Sequence, residues 1–380
     1  MIAFNRPHLT GREFDCIREA VANGQLAGNG QFTRRCHEWL QSQLSARRAL
    51  LTHSGTAALE MAALLLDLQP GDEVIMPSFT FVSTANAVVL RGAIPVFVDI
   101  RPDTLNIDER LIEAAITPHT RAIVAVHYGG VACEMEPIVA LAARHGLAVV
   151  EDAAQALLSR YKGRAVGALG HLAAVSFHET KNLISGEGGA LIINDARYEE
   201  RAEILWEKGT NRSQFARGLV DKYTWIDVGS SFLPGELTAA FLWAQFEDAD
   251  AIMAERLAIW RGYDNACSAL EAFGVRRPTI PPDRVHNAHL YYLLLPAVLS
   301  RADVLADVNQ RGVNAVFHYV PLHSAPAGRR FGRTCGAMTH TDDCSARLIR
   351  LPLWVGMGRD AAERVVGTLT ETLTTLLERV

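Results

Sequence analysis

No stretch of this 380-residue chain holds the roughly 20 consecutive apolar residues that crossing a bilayer takes, so no membrane-spanning helix is expected. The opening MIAFNRPHLTGREF lacks the apolar core of a secretory leader. No run of Lys and Arg stands out, and the formal net charge is -5, which argues against nucleic acid as a partner. A local basic pocket for a phosphorylated ligand stays open. The six cysteines, Cys16, Cys36, Cys133, Cys267, Cys335 and Cys344, form no CxxC pair, so structural zinc is not expected. Cysteines scattered in this way read as reduced thiols. These absences describe a soluble, cytoplasmic, metal-free protein.

Two motifs are also missing. The turn after the first expected strand reads HSGTAA rather than GxGxxG, which disfavours a nicotinamide-dependent oxidoreductase. HETK at His178 lacks the second histidine of the zinc motif HExxH.

What is present is ordinary globular material. Apolar residues at 49% and charged residues at 21% allow a large core and speak against disorder. The length suits two unequal domains. Short apolar runs, most of them with β-branched residues, at 48–51, 73–76, 94–99, 122–126, 147–151, 172–177 and 189–194 read as strands. Helical patterns at 56–68, 83–90, 108–116 and 134–145 fall between the first five of them. That alternation predicts an α/β domain with a mostly parallel sheet and helices on both faces. Ligands of such sheets bind beyond the carboxyl ends of the strands.

Near residue 251 the pattern changes to one long helix with Met253, Leu257, Trp260, Cys267 and Leu270 on one face. Beyond it, strands at 289–295 and 313–319, a helix at 302–311 and two closing helical stretches make a smaller α+β domain. The expected division is 1–250 and 251–380, with the N-terminal segment packed on the smaller domain or on a partner.

Four features sit at expected carboxyl edges. Lys181, in SFHETKN, follows a strand and precedes the glycine-rich SGEGG. Asp152 ends the strand in AVVED, with Gln155 three residues on. Ser54, Gly55 and Thr56 join a strand to a helix, whose N-terminus offers free N–H groups to a phosphate; Ser176 adds a hydroxyl nearby. Phe81 stands where another strand gives way to a helix. A lysine, an acid, a phosphate cradle and an aromatic ring suit pyridoxal phosphate (PLP). An acid beside the pyridine nitrogen keeps it protonated, so that the ring draws electrons.

Over nearly its whole length the chain resembles the sugar-nucleotide aminotransferases of the aspartate-aminotransferase-like fold, PLP-dependent transferase fold type I. The motifs are SGTAALE, GDEVIMPSFTFVSTANAV, VFVDI, EDAAQ, SFHETKN with GEGG, and YVPLH. HETKN, EKGTNRSQF and VDKYTW are most similar to enzymes that make dTDP-4-amino-4,6-dideoxygalactose from a dTDP-4-keto-6-deoxy sugar.

The resemblance implies that Lys181 carries PLP covalently, that Asp152 pairs with the pyridine nitrogen and that Gln155 lies by the ring oxygen. It implies that Gly55, Thr56 and Ser176 hold the phosphate and that Phe81 stacks on the ring. It further implies L-glutamate as amine donor, and a homodimer with the active site at the subunit interface. Relatives carry a GYNxR-like segment whose Asn reaches the partner's phosphate; here GSSFLPGE puts Ser231 in that position, with Asn211 or Arg212 as other candidates. His178, Tyr319 and His323 are candidate substrate contacts. The nearest rival readings are a different keto position, a gluco product, or a PLP fold without catalysis. A dehydratase relative would carry histidine where Lys181 stands.

Overall fold

The computed structural model describes residues 1–378. Its largest sheet runs Arg48–Thr52, Gly189–Ile193, Leu172–Ser176, Ala148–Asp152, Thr120–Val126, Glu73–Pro77, Ile94–Val98 and Arg333–Thr334, in that spatial order. Every neighbouring pair is parallel except the two made by Gly189–Ile193, which is antiparallel to both its neighbours. The pleat sends alternate residues to opposite faces. Leu51, Ile75 and Ile123 face one apolar cluster, while Leu50, Val74, Met76 and Val124 face another. Helices cover both faces, which is why these strands are apolar runs rather than alternating ones.

Two glycines let the backbone close around the carboxyl edge. A Cβ on Gly189 would lie 2.5 Å from the Gly55 nitrogen, and one on Gly55 would lie 2.9 Å from the Ser176 Cβ. No side chain fits at either place without moving backbone.

A smaller antiparallel sheet has the order Tyr291–Leu294, Leu348–Leu351, Val316–Phe317. Its cluster gathers Ile2, Trp260, Tyr263, Tyr291, Leu293, Ile349 and Leu369. The helix Ala249–Cys267 passes from the first large cluster at Ile252 to the small one at Trp260 and Cys267. The chain start is tied here too: Ile2 N–H donates to the Gly312 carbonyl (2.7 Å), and Trp354 Nε1 donates to the Ala3 carbonyl (3.0 Å).

The C-terminal third departs from expectation. The strand expected at 313–319 shrinks to Val316–Phe317, because Val313 bridges Ile2 and because His318 and Tyr319 turn to the cavity described below. The two closing helical stretches become Pro326–Phe331, Thr339–Arg347 and Arg359–Leu377, with Leu348–Leu351 between the last two as the central strand of the small sheet. Arg333–Thr334 extends the large sheet, with Arg333 paired to Glu73 at 2.7 Å. Among the described residues no helix is long and apolar enough to cross a membrane.

A buried carboxylate fastens the N-terminal helices. Glu236 accepts the N–H groups of Gly30 (2.9 Å), Phe32 (2.8 Å) and Thr33 (3.1 Å), and the Thr33 hydroxyl. These are the orphan donors at the start of the helix Gln31–Leu44. Glu236→Gln puts an NH2 group where donors already converge, at a cost of about 2 kcal/mol. Calorimetry should show the unfolding midpoint falling by roughly 2–3 °C; an unchanged midpoint would remove this role.

Candidate active site

At the carboxyl edge of the large sheet the chain encloses a cavity of about 720 Å³. It lies between the sheet's strand ends and the small sheet. Lys181, Asp152, Ser54, Gly55, Thr56, Phe81, Gln155, Ser176, His178 and Tyr319 all line it. Segments scattered over 265 residues of sequence thus meet at one place, because parallel strands deliver all their carboxyl ends to the same edge.

The reversal of the chain after Ser176 delivers the lysine. The loop closes through Phe177 N–H to the Gly188 carbonyl, Glu179 N–H to Gly186 and Ser185 N–H to Phe177, each at 2.8 Å. Lys181 N–H donates to the His178 carbonyl at 2.8 Å, which turns the side chain inward. No hydrogen bond or ion pair holds the amine among the described residues. Burial pushes its pKa down from the ordinary 10.5 to about 8; Asp152 works against that shift and the Arg350 guanidinium adds to it.

Asp152 is held from the side. Thr84 Oγ1 donates to its Oδ2 at 2.7 Å, and Ala154 N–H donates to its Oδ1 at 3.2 Å. Thr80 and Thr84 share a hydroxyl bond of 2.8 Å. Each carboxylate oxygen keeps lone-pair capacity for one more donor from the cavity. The neighbouring strand residue Glu151 points the other way and serves structure: it accepts the N–H groups of Gly167, Leu169 and Gly170 and bonds His127 at 3.0 Å. Cys133 N–H donates to His127 Nδ1 (3.1 Å), which leaves Nε2 to donate to Glu151.

The helix Gly55–Leu65 begins at the cavity wall. Its cap Ser54 accepts from Ala57 N–H at 3.0 Å. The Gly55 and Thr56 N–H groups have no protein acceptor among the described residues. Thr56 and Ser83 hydroxyls bond each other at 2.7 Å, and the Ser176 hydroxyl faces the same corner. Two free amides, a helix dipole and hydroxyls make a cradle for a dianionic phosphate.

The remaining wall is aromatic and basic. Gln155 is already spoken for: Nε2 donates to Tyr319 Oη (2.6 Å) and Oε1 accepts Gly129 N–H (2.7 Å). Phe81 and Tyr319 have ring centroids 6.4 Å apart. Burial holds His289 and His318 well below the usual imidazole pKa, with Lys181 and Arg350 adding to the effect. His289, His318, Arg350, Arg256, Asn5 and Phe4 line the cavity without having been singled out from the sequence. Thr84 was also missed, although it lay inside a quoted motif.

Four candidates lie elsewhere in the chain. His323 shares a hydrogen bond with Ser78 (2.8 Å) and sits 3.3 Å from Asp342, tying two layers together outside the cavity. Ser231 is bridged to Glu207, the Asn211 side-chain Oδ1 accepts Thr224 N–H (2.8 Å), and Arg212 lies 3.7 Å from Glu207. None of these three reaches the chain's own cavity.

The model of the DegT/DnrJ/EryC1/StrS aminotransferase family matches residues 7–370. The chain belongs to that family. Among curated relatives it is 32% identical over 376 residues to the spore coat polysaccharide biosynthesis protein SpsC of Bacillus subtilis (strain 168), covering 96% of this chain and 95% of that protein. It is 31% identical over 382 residues to GDP-perosamine synthase of Caulobacter vibrioides, covering 98% of each. Among solved structures, the aminotransferase TlmJ of Streptoalloteichus hindustanus superposes with a TM-score of 0.91 at 30% identity, over 99% of this chain and 100% of that one. DesV of S. venezuelae, solved with a ketimine intermediate, gives 0.89 at 30% identity over 98% of each. The protein is therefore a PLP-dependent sugar aminotransferase of fold type I.

A lysine that titrates near 8 should capture PLP at lower pH than an ordinary one. The rate at which cofactor-free protein gains visible absorbance should rise with pH about a midpoint near 8, as the neutral amine is the nucleophile. A midpoint near 10 would show that burial does not tune this amine.

Proposed function

We propose that Lys181 and Asp152 are the catalytic pair of this aminotransferase, and that its acceptor is a dTDP-4-keto-6-deoxy hexose with L-glutamate as donor. The observation that carries the pair is their shared cavity: an unpaired amine and a carboxylate with open lone pairs line it beside a helix N-terminus with two free amides. That donor set fits PLP. Gly55, Thr56 and Ser176 would hold its phosphate, Asp152 its pyridine nitrogen, and Phe81 its ring face, with Gln155 beside the ring oxygen through the bonds that already fix it. When bound, the cofactor supplies an electron sink for the carbon losing or gaining a proton.

The chain's own contribution is proton movement and placement. Lys181, whose neutral form becomes accessible as the pH nears 8, takes the proton from the donor's α-carbon. In the second half-reaction it returns one to sugar carbon 4, and the face it reaches sets galacto against gluco product. Thr84 keeps the Asp152 carboxylate aimed. His178 and Tyr319, both on the cavity wall, are the substrate contacts of this reading.

The acceptor rests on HETKN, EKGTNRSQF and VDKYTW. GDP-perosamine synthase, among the relatives, shows that the family spans other nucleotide sugars. The reading includes a homodimer and a division near residue 250. Trp225 is 78% exposed, with Leu219, Tyr223 and Ile226 exposed beside it, an apolar surface suited to a second copy. Ser231, Asn211 and Arg212 belong to the same stretch and would serve the partner's phosphate. The helix Ala249–Cys267 joins the two apolar clusters at the proposed division.

Lys181→Ala should abolish both the visible absorbance of the purified protein and turnover; a variant retaining both would defeat the assignment. Asp152→Ala should weaken PLP binding and stall turnover after donor binding, whereas unchanged turnover would exclude its role at the ring nitrogen. Acceptor choice is read by offering a panel of nucleotide-linked keto sugars with glutamate and determining the product's configuration by NMR. Preference for a 3-keto or GDP-linked sugar would overturn the proposed substrate.

A further inference from the structure

Asn182, next in the chain to Lys181, is buried, and its amide has one possible orientation. Nδ2 donates to the Asn287 carbonyl at 2.7 Å, so Oδ1 is the atom that faces His289 Nδ1 at 3.0 Å. That ring nitrogen therefore carries a proton and donates it. The backbone of His289 is fixed as well: its N–H donates to Asn287 Oδ1 (3.1 Å), and its carbonyl accepts from Arg256 Nη2 (2.7 Å). The other ring nitrogen, Nε2, has no hydrogen-bond partner among the described residues, and His289 lines the cavity. The charged and titratable groups acting on the ring are Lys181, Arg256, His318 and Arg350; with burial they keep it neutral, so Nε2 presents a lone pair.

A buried acceptor left unmatched is costly, so a donor is expected for it. Lys181 supplies one. Once it has taken a proton, its amine carries three N–H donors, and none has a protein acceptor among the described residues. We propose that His289 Nε2 accepts a hydrogen bond from the Lys181 ammonium and holds it in place between proton uptake and proton return. His289 is thus a positioning residue that acts through Lys181. The inference rests on the aminotransferase reading above. Two observations favour Lys181 over a substrate hydroxyl as the donor. The ring is tied through Asn182 to the residue beside Lys181, so ring and amine are carried by one loop. Lys181 also acts on the ring more strongly than any other charge. A carboxylate at this place would hold the amine charged and spoil it as a base; a neutral imidazole offers a lone pair without that charge.

Two substitutions divide the ring nitrogens. His289→Asn keeps a donor to Asn182 and removes the acceptor at Nε2. His289→Gln reaches to where Nε2 stood and supplies an acceptor there. In the cofactor-free protein, the pH midpoint for capture of PLP should fall by about one unit in His289→Asn, because the ammonium loses an acceptor. It should return towards the wild-type value in His289→Gln. In the holoenzyme, stopped-flow absorbance with L-glutamate should show His289→Asn slowing the donor half-reaction roughly ten- to hundredfold. Donor affinity should stay unchanged, and the rate ratio between α-protio and α-deutero glutamate should rise. Where His289→Asn does not fold, His289→Leu takes its place, and His289→Gln should then be clearly faster than His289→Leu. A ring that only staples the loop would leave His289→Asn like wild type, and His289→Gln no better than His289→Leu. Either result, or a capture midpoint that does not move, would overturn the inference. A wild-type holoenzyme that no amino acid bleaches would instead defeat the aminotransferase reading.

Discussion

The site turns on the opposition between one buried amine and the charges around it. Removal from water drives Lys181 towards its neutral form, Arg350 pushes in the same direction, and Asp152 pulls back. The outcome is an amine that titrates near 8 instead of far above it, as the proton exchange proposed for it requires. That balance requires fixed distances, and the sheet provides them. Asp152 ends one parallel strand, and Lys181 hangs from the loop after the next, so their separation is set by strand pairing rather than by a flexible connection. Thr84 and the hydrogen bonds of the 177–188 loop remove what freedom is left.

The large sheet was readable because its signals are local. Seven of its eight strands are short apolar runs, and the helices between the first five have their own period, so tertiary context had little to override. The left-handed Gly146 closing the helix Met135–His145 is a case where one residue marks a boundary. The small sheet was harder. Leu348–Leu351 follows the helix Thr339–Arg347 with neither glycine nor proline between, and only pairing with two strands distant in sequence makes it a strand. Arg333–Thr334 is two residues long and exists because the edge of Ile94–Val98 is open to it.

The cavity shows the same divide. Lys181, Asp152 and the 54–56 turn each stood at an expected strand end, and it was their combination that pointed to the one cavity they line. Thr84 looks like any threonine near a helix start until it is seen to bond a residue 68 positions away. Arg350 reads as one more surface charge until its strand is seen to turn it to the cavity. His323 went the other way: it lies in a quoted motif, yet its ring is committed to Ser78, and its neighbours Tyr319 and His318 take the cavity wall.

The two-residue strand Arg333–Thr334 constrains how this molecule can breathe. It grafts the C-terminal part of the chain onto the rim of the main sheet, and the Arg333–Glu73 pair rivets the join. A clamshell swing of the small sheet would have to unzip that seam and tear a bidentate ion pair on every cycle.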